Sequence, residues 1–313
     1  MKVVVFNVGS ALSSYVELGK KKIIVDIGKG NNFSVVTDFL LPLFARRGEL
    51  RRNGKYYLDQ VIVSHPHADH SSDLGELYKY FDIGLFTTPN DLSDEFEKVK
   101  NVNWDLVDDS ESDEIKTIRE IYRGRSLPLR ECDLSAMTIG YLDPGKVENV
   151  TLLKNESYTN NIGIVLYISY GYSVFFAADL QKEGMKKMLS LNLKLRDKLE
   201  KGVDFLVCPH HGLRSSFSTE LFSVMKGGKT RRLNIVPEKI SGDDNRKIDS
   251  RYSSTDFCNG DNNLSSFGKT VCQRKTSQGH IFIDDNGSVT VENDIGNILN
   301  KFVSFSGDIR IRP

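Results

Sequence analysis

Short apolar runs rich in β-branched residues alternate along this chain with longer amphipathic segments, and polar turns separate them. Residues 3–8, 15–18 and 23–27 predict an opening strand followed by a hairpin around Gly19. Residues 56–63 and 83–88 predict two more strands, with a helix over residues 73–81 between them that Ser71 or Ser72 would cap. A further helix, capped by Ser34, is expected to run to residue 44, although Pro42 would strain it.

The second half of the chain repeats this order of strands and helices. Residues 162–168 and 172–178 predict two strands, residues 181–201 predict one helix that Gly202 ends, and residues 204–208 predict a buried strand. A helix capped by Ser218, a strand over residues 233–236 and a hairpin across Asn286 and Gly287 follow. Residues 90–150 and 238–278 are polar and less periodic, so we interpret them as variable insertions, the second of them a flexible loop. The tail from residue 293 carries no recognisable chemistry.

Composition excludes some classes of protein without selecting one. Lysine plus arginine and aspartate plus glutamate each total 42 in 313 residues, so the net charge of zero provides no overall field that would attract nucleic acid. The four cysteines are far apart and form no CxxC pair, which indicates free thiols in a reducing compartment. No apolar run is long enough to span a membrane, and the first residues turn polar too soon for a signal peptide. We therefore expect a cytoplasmic protein with no membrane partner.

Histidines and an aspartate are concentrated directly after the strand predicted at residues 56–63. Three of the six histidines, His65, His67 and His70, lie there together with Asp69. Imidazole nitrogens and carboxylate oxygens are ligands that Zn²⁺ prefers. In an extended loop residues two apart point the same way, so His65 and His67 can share one cation while Asp69 and His70 serve a second. The alternative interpretation is a set of surface histidines in a polar loop.

The spacing His65-x-His67-x-Asp69-His70 resembles the signature of the metallo-β-lactamase-fold hydrolases. The runs Phe6-Asn7-Val8-Gly9 and Pro209-His210-His211-Gly212 are similar to motifs of the branch that includes the extracytoplasmic hydrolase domain of competence protein ComEC. This resemblance implies an α/β fold, a four-layer αβ/βα sandwich with two mixed sheets. It also implies a single domain over residues 1–313, with the insertions near residues 90–150 and 238–278.

The resemblance assigns roles to residues outside the first motif as well. It implies that Asp179, at the end of a predicted buried strand, bridges two metals; the alternative is an ordinary aspartate that caps the next helix. It also implies that one of His210 and His211 ligates metal while the other faces the substrate, and we assign the metal to His211. Two surface histidines after a strand are the alternative for this pair.

Several expectations concern the surroundings of these ligands. Asp26 is expected to hydrogen-bond the backbone of the metal loop rather than to bind metal. The wider family has a histidine between the metal loop and the bridging aspartate, but this chain has none there, and polar residues such as Asn160 or Asn161 occupy that interval. The acidic run at residues 108–114 is interpreted as a solvated helix cap, because negative charge is favourable at a helix N-terminus.

Two positions depart from the pattern of the ComEC-like branch. Ser10-Ala11-Leu12 stands where Gln-Gly-Asp or a similar run is usual, so part of the loop that borders the expected site is altered. Ala178 stands where the residue before the bridging aspartate is usually glycine. These two departures motivate the hypothesis of a module that retains metal without catalysis.

We therefore expect a dinuclear metal-dependent hydrolase whose ligands are His65, His67, Asp69, His70, Asp179 and His211. Two divalent cations, Zn²⁺ or alternatively Mn²⁺, would lower the pKa of a water and supply hydroxide. Asp69 would orient that nucleophile and His210 would steady the scissile group. By resemblance we favour a phosphodiester substrate, first of all in a nuclease acting on nucleic acid. A lactone or thioester hydrolase is the alternative enzyme, and a non-catalytic binding module that retains metal is the alternative outside enzymes.

Overall fold

The computed structural model describes residues 1–89, 102–109, 112–122, 130–148, 156–238, 247–261 and 270–303. The strands in these ranges are β1 (Lys2–Val5), β2 (Ser13–Leu18), β3 (Lys21–Ile27), β4 (Tyr56–Ile62), β5 (Phe81–Thr87), β6 (Met137–Gly140), β7 (Val165–Tyr170), β8 (Tyr172–Phe176), β9 (Phe205–Val207), β10 (Leu233–Val236), β11 (Gln273–Lys275), β12 (His280–Ile283) and β13 (Val289–Glu292). Among these residues they form one sheet in the order β13-β12-β1-β2-β3-β4-β5 and a second in the order β11-β10-β9-β8-β7-β6.

Both sheets are mixed. In the first sheet, β1, β2, β3, β12 and β13 pair antiparallel, whereas β4 pairs parallel with both β3 and β5. In the second sheet, β7 pairs antiparallel with β6 and β8, whereas β8 to β11 run parallel. Parallel strands end at the same edge of a sheet, so the loops that follow β4, β8 and β9 are available to carry a shared site.

Side chains alternate along each strand, so the core consists of three clusters: one between the two sheets and one between each sheet and its outer helices. Val4 and Phe6 face helices on the outer side of the first sheet, while Val3 and Val5 face the second sheet. Phe175 likewise packs towards helices on the outer side of the second sheet, while Val174 packs between the sheets. The order helix, sheet, sheet, helix is the predicted four-layer αβ/βα arrangement, and the predicted fold class is confirmed.

The helices begin and end close to most of the expected positions. They span Val35–Leu40, which has π-helical hydrogen bonding, and Leu41–Arg46, Ala68–Ser71, Leu74–Tyr80, Asp113–Tyr122, Tyr158–Asn161, Lys182–Leu191, Leu193–Glu200, Thr219–Val224 and Ile295–Val303. The oxygens of Ser34 and Ser218 accept backbone N–H groups of the following turns, as predicted. Pro42 directly follows the π-helical segment, and the chain stays helical through it to Arg46, so the proline does not end the helix.

Two predictions about helix ends are wrong. Neither Ser71 nor Ser72 caps the helix Leu74–Tyr80, because Asp73 precedes it, Ser71 Oγ donates to the His67 carbonyl and Ser72 Oγ accepts from Lys29 N–H. The helix expected over residues 181–201 is two helices, because the chain breaks at Asn192. The side chain of Asn192 accepts the N–H of Leu195 and caps the second helix, Leu193–Glu200.

The polar stretches contain more structure than their composition predicts. Strand β6 lies within residues 90–150, and strand β11 lies within the predicted loop at residues 238–278. Tyr252, Cys258 and Cys272 of that second stretch are buried, so the prediction of a flexible loop is wrong for the part that is described. Other parts of both insertions lie outside the described residues, and the single-domain organisation stays a prediction. In the described ranges no helix is both long and apolar enough to cross a membrane.

Candidate metal centre

The predicted ligands come together where strands of the two sheets end. The loop after β4 carries His65, Asp69 and His70, the turn after β8 carries Asp179, and the turn after β9 carries His211. Two groups of potential metal-binding atoms result, one made by His65, His70 and Asp179 and the other by Asp69, His70 and His211, with all atoms of each group within 4.8 Å of one another. The structure therefore places these five predicted residues around a shared centre, and their binding of metal stays a prediction.

Asp179 occupies the middle of this centre. Its Oδ1 lies 3.2 Å from His70 Nε2, and its Oδ2 lies 3.9 Å from His65 Nε2 and 3.8 Å from His211 Nε2. Asp69 Oδ2 approaches the same His211 nitrogen to 3.4 Å. A carboxylate that faces members of both groups has the position that a bridging ligand requires. The alternative role of Asp179 as a helix cap is not observed, since Gln181 precedes the helix Lys182–Leu191 and Gln181 N donates to Asn161 Oδ1.

Three buried polar atoms of the centre make no hydrogen bond within the described part of the chain. They are His70 Nε2, His211 Nε2 and Asp179 Oδ1, and the short approach of His70 to Asp179 lacks hydrogen-bond geometry. A buried polar atom without a partner costs about 1–3 kcal/mol, so a protein seldom retains several side by side without a ligand. Two imidazole nitrogens and a carboxylate oxygen directed at one point are a donor set that suits a divalent cation such as Zn²⁺. The residues present therefore fit a metal.

Asp26 holds the metal loop from the neighbouring strand. Its Oδ1 accepts the backbone N–H of Ser64 at 2.7 Å, and its Oδ2 accepts Ser64 Oγ at 2.9 Å and contacts His70 Nδ1 at 3.0 Å. With Nδ1 engaged in this way, His70 presents Nε2 to the centre, as histidine ligands commonly do when a carboxylate orients them. The prediction that Asp26 hydrogen-bonds the backbone of the metal loop is confirmed.

His211 and His210 differ in burial and in their contacts. His211 is fully buried, and its Nδ1 donates to the Pro237 carbonyl at 3.0 Å, so Nε2 is directed towards Asp69 and Asp179. The His210 side chain remains 23% exposed, its Nδ1 lies 3.2 Å from Ser216 Oγ, and its Nε2 lies 3.8 Å from Asp179 Oδ2. This geometry agrees with the assignment of His211 to the metal and of His210 to the substrate side, and both roles stay predictions.

His67 lies at the edge of the centre and belongs to neither group of five. Its Nδ1 lies 2.9 Å from His65 Nε2, and its Nε2 lies 3.3 Å from Asp108 Oδ2. Asp108 Oδ2 also accepts Ser157 Oγ at 3.1 Å. Asp108 is exposed, as expected for the acidic run, but it also contacts a predicted metal ligand, and it is the neighbour of the centre that sequence reasoning missed.

The two asparagines of the interval without histidine have different environments. Asn161 is engaged on both sides, because its Oδ1 accepts Gln181 N–H at 3.0 Å and its Nδ2 donates to Glu156 at 2.8 Å. Asn160 is buried, and its Oδ1 has no hydrogen-bond partner among the described residues. The adjacent Thr159 Oγ1 accepts the backbone N–H of Asp108, so this segment lies beside the His67 edge of the centre. Of the two, only Asn160 retains an oxygen for a further ligand.

The backbone around the centre is held in the left-handed region at four residues other than glycine. They are Asp26, Ala178, His210 and His211, with φ values of 55°, 50°, 47° and 56°. Each costs about 1–2 kcal/mol for an L-residue, and such residues concentrate at functional sites. The positive φ of Ala178 also shows the backbone consequence of the departure noted in the sequence, where alanine stands in place of the usual glycine. Glycine suits this conformation, and alanine adopts the same backbone at a small cost.

The side chains of the centre shift one another's pKa values. Burial is the largest influence on Asp179 and favours its neutral form, but His70, His210 and His211 outweigh burial and hold its pKa well below the usual value. Burial opposes the ionisation of Asp69 too, yet its contact with His211 and the charge of His70 lower its pKa overall. Burial would lower the pKa of His70, but Asp179 and Asp26 raise it well above the ordinary value. Two carboxylates therefore stay ionised, and the ionised form is the one that ligates a divalent cation.

Comparison with known proteins finds a family match for the first part of the chain. Among solved structures similar to the chain is the metallo-beta-lactamase fold protein YhfI from Bacillus subtilis, with 13% sequence identity, a TM-score of 0.32 and coverage of 66% of this chain and 70% of that chain. No curated protein matches the sequence. Residues 6–132, which contain strands β2 to β5 and the complete motif at residues 65–70, match the family model described as the metallo-beta-lactamase superfamily.

Proposed function

We propose that this protein is a dinuclear metal-dependent hydrolase that cleaves phosphodiesters. The observation that carries the proposal is the position of Asp179 between the two groups of histidine and aspartate atoms. There its own Oδ1 and the Nε2 atoms of His70 and His211 are buried and have no hydrogen bond among the described residues. Proteins of the superfamily matched by residues 6–132 are mostly metal-dependent hydrolases, which supports the same reaction type. The enzymatic activity, the number of cations and their identity are part of the proposal.

The chain would hold one cation through His65, His67 and Asp179 and the other through Asp69, His70, His211 and Asp179. When bound, two divalent cations acidify water and neutralise the charge that develops on phosphate oxygens. Zn²⁺ suits the histidine-rich donor set, and Mn²⁺ is the alternative. Asp26 and the Pro237 carbonyl keep His70 and His211 in the tautomers that direct Nε2 inwards.

The remaining residues of the centre would position the reacting groups. Asp69 stays ionised, so a carboxylate oxygen is available to accept a proton from the attacking water and to orient it. His210 is partly exposed beside Asp179, and Ser216 fixes its ring through Nδ1. Its Nε2 can therefore contact an oxygen of the scissile group from the open side of the centre. Burial is the main cause that lowers the pKa of His210, which favours the neutral imidazole.

A phosphodiester is preferred over other substrates because of the resemblance of the segments at residues 6–9 and 209–212 to the ComEC-like branch. A nuclease is the leading version of this proposal, and a cytoplasmic location accompanies it. The same pair of cations could polarise the carbonyl of a lactone or a thioester, which is the alternative reaction. The binding-module hypothesis is weakened by Ala178, because this residue retains the left-handed backbone that delivers Asp179.

The experiment combines metal analysis with turnover. We expect purified protein loaded with Zn²⁺ or Mn²⁺ to bind two equivalents and to hydrolyse bis-(p-nitrophenyl) phosphate and linear or single-stranded DNA. Asp179→Ala should lose both the metal and the activity, whereas Asp197→Ala, an exposed aspartate on the helix Leu193–Glu200, should keep both. Metal-loaded wild type that cleaves a lactone or thioester but no phosphodiester would establish the alternative enzyme. Metal binding without turnover of any of these substrates would establish the binding module.

A further inference from the structure

Two cavities flank the metal loop and differ in charge. One, of about 600 Å³, lies beside His67 and includes the acidic residues Asp109 and Glu114 in its wall. The other, of about 490 Å³, is lined by the turn after β1, the turn after β3, Asp69 and Ser72, and it shares Ala68 with the first cavity. Asp69 is shared between this second cavity and the metal centre, so a molecule bound at the centre can extend into the cavity without leaving the surface.

Among the residues that line the second cavity, Lys29 is the cation and Asp69, a proposed metal ligand, is the carboxylate. The backbone of Lys29 is fixed on both sides. Gly28 N–H donates to the Leu12 carbonyl at 2.9 Å, Lys29 N–H donates to Ser72 Oγ at 2.9 Å and Gly30 N–H donates to the Phe33 carbonyl at 3.0 Å. Gly28 allows this segment to close on the metal loop, since a Cβ at that position would lie 1.9 Å from the Asp69 carbonyl oxygen. The lysine is therefore mounted next to Asp69 on a rigid turn.

The side chain of Lys29 is exposed, and in the described part of the chain no carboxylate lies within 4 Å of its ammonium group. The charge of Lys29 does influence Asp73. Burial raises the pKa of Asp73, and Lys29 is among the groups that lower it. Asp73 is nevertheless buried, and its Oδ2 already accepts Ser34 Oγ at 2.6 Å. A lysine that merely neutralised Asp73 would have no need to line an open cavity.

We propose that the cavity of Lys29, Ser10, Asn31 and Ser72 binds the phosphate next to the scissile one in a nucleic-acid strand. This inference rests on the proposed phosphodiesterase function, deepens its nuclease version and adds a subsite for a second phosphate of the same strand. The Lys29 ammonium is a compact cation that pairs with phosphate oxygens, and the Ser10 and Ser72 hydroxyls can donate to them. The acidic cavity beside His67 repels the same group, so the strand acquires a direction across the centre.

The test separates the flanking phosphate from the scissile one. Lys29→Gln should raise KM for a short deoxythymidine oligonucleotide roughly three- to tenfold with little change in kcat, the size expected for one partly exposed charge contact. The same variant should hydrolyse bis-(p-nitrophenyl) phosphate, which has no second phosphate, as wild type does. Replacing the flanking linkage by an uncharged methylphosphonate should cost wild type a similar factor and cost Lys29→Gln almost nothing further. Lys29→Arg should recover most of the loss.

Lys20→Gln is the matched control, because Lys20 is an exposed lysine at the turn between β2 and β3, outside both cavities. It removes the same charge and should leave KM for the oligonucleotide unchanged. An unchanged KM in Lys29→Gln, or a KM that changes equally for both kinds of substrate, would overturn the proposal while leaving the phosphodiesterase intact. A loss of thermal stability without a change in KM would assign Lys29 to Asp73 instead.

A binding measurement keeps the proposal testable without turnover. In the presence of EDTA, the fluorescence anisotropy of a labelled oligonucleotide should report weaker binding to Lys29→Gln than to wild type or Lys20→Gln. Equal affinities, or no binding by any of the three, would refute the subsite. Absence of metal binding or of bis-(p-nitrophenyl) phosphate hydrolysis by wild type would instead refute the proposed function, so the two failures are distinguishable.

Discussion

Asp26 Oδ2 lies 3.0 Å from His70 Nδ1, although the two residues are 44 positions apart in the sequence. The same carboxylate accepts both the backbone N–H and the hydroxyl of Ser64. One side chain on β3 therefore anchors the start of the metal loop and orients a ligand near its end. Asp26 is itself in the left-handed region, so the backbone that places this carboxylate is strained.

Asp26→Asn should weaken metal binding while leaving the ligands in place. An amide has one acceptor oxygen instead of two, so Ser64 and His70 can no longer both be held as they are now. Loss of such an orienting partner typically lowers metal affinity about 10- to 100-fold. Competition with a chromogenic chelator measures this change. Asp59→Asn is the control, since Asp59 accepts the backbone N–H of Lys22 away from the centre, and its metal affinity should be that of wild type.

Removal of metal should lower the thermal stability of the protein. A cation that binds only the folded chain adds about 2.7 kcal/mol at a free concentration 100 times its Kd, which for a chain of 313 residues raises Tm by roughly 4 °C. Differential scanning calorimetry with and without EDTA measures the difference. His211→Ala should show a much smaller difference, because it removes an inward nitrogen of the centre.

His280→Asn is the matched control for the metal-dependent stability. It changes a buried histidine outside the centre, so the effect of metal on Tm should be retained. A Tm that does not respond to metal in wild type would contradict the assignment of the unpaired buried atoms to a cation. A response that survives in His211→Ala would place the bound cation elsewhere.

The sequence predicts the sandwich and most of the centre because both depend on local patterns. Strands such as β1 alternate between two apolar surfaces, and the ligands follow strands that end at a common edge. Strand β11 escapes prediction for a physical reason. Its residues, Gln273, Arg274 and Lys275, form an edge strand that pairs only with β10 among the described strands, so backbone hydrogen bonds define it and no apolar pattern does.

Contacts between distant segments account for most of what the sequence does not predict. The approach of Asp108 to His67 joins positions 41 residues apart, and nothing in the local acidic run distinguishes this aspartate from its neighbours. The break at Asn192 is hidden because apolar residues continue on both sides of it, including Leu189 and Leu195. The final helix Ile295–Val303 was not predicted, although its buried Ile298, Leu299 and Phe302 have helical spacing.

Ala178→Gly should be tolerated much better than Ala177→Gly. Both alanines are buried, and glycine removes a methyl group and adds unfolded-state entropy in either position, which costs about 1–2 kcal/mol in total. At Ala178 the same change also relieves a left-handed backbone worth about 1–2 kcal/mol, so the two effects nearly cancel. Urea unfolding of both variants measures the difference, and equal losses of stability would contradict the strain at Ala178.

His280 should make the stability of the protein depend on pH below neutrality. Its ring is buried against Phe6 and Phe33, its Nδ1 accepts the N–H of Asn7 at 3.1 Å, and burial lowers its pKa to about 4. The unfolded chain has a histidine pKa near 6.5, so between pH 6.5 and about 4 it binds a proton that the folded chain does not. The free energy of unfolding should therefore fall as pH falls through this range, by roughly 3 kcal/mol in total from this residue.

His280→Asn isolates this contribution, because an asparagine oxygen can still accept the Asn7 N–H but does not titrate. The urea midpoints at pH 7 and pH 4.5 should differ less in the variant than in wild type. The titrating groups of the metal centre are common to both proteins, so their contribution cancels in the comparison. Val289→Ala, a buried residue on β13 that does not titrate, should lower stability equally at both pH values. If His280→Asn retained the full pH dependence of wild type, the neutral buried imidazole would not be its source.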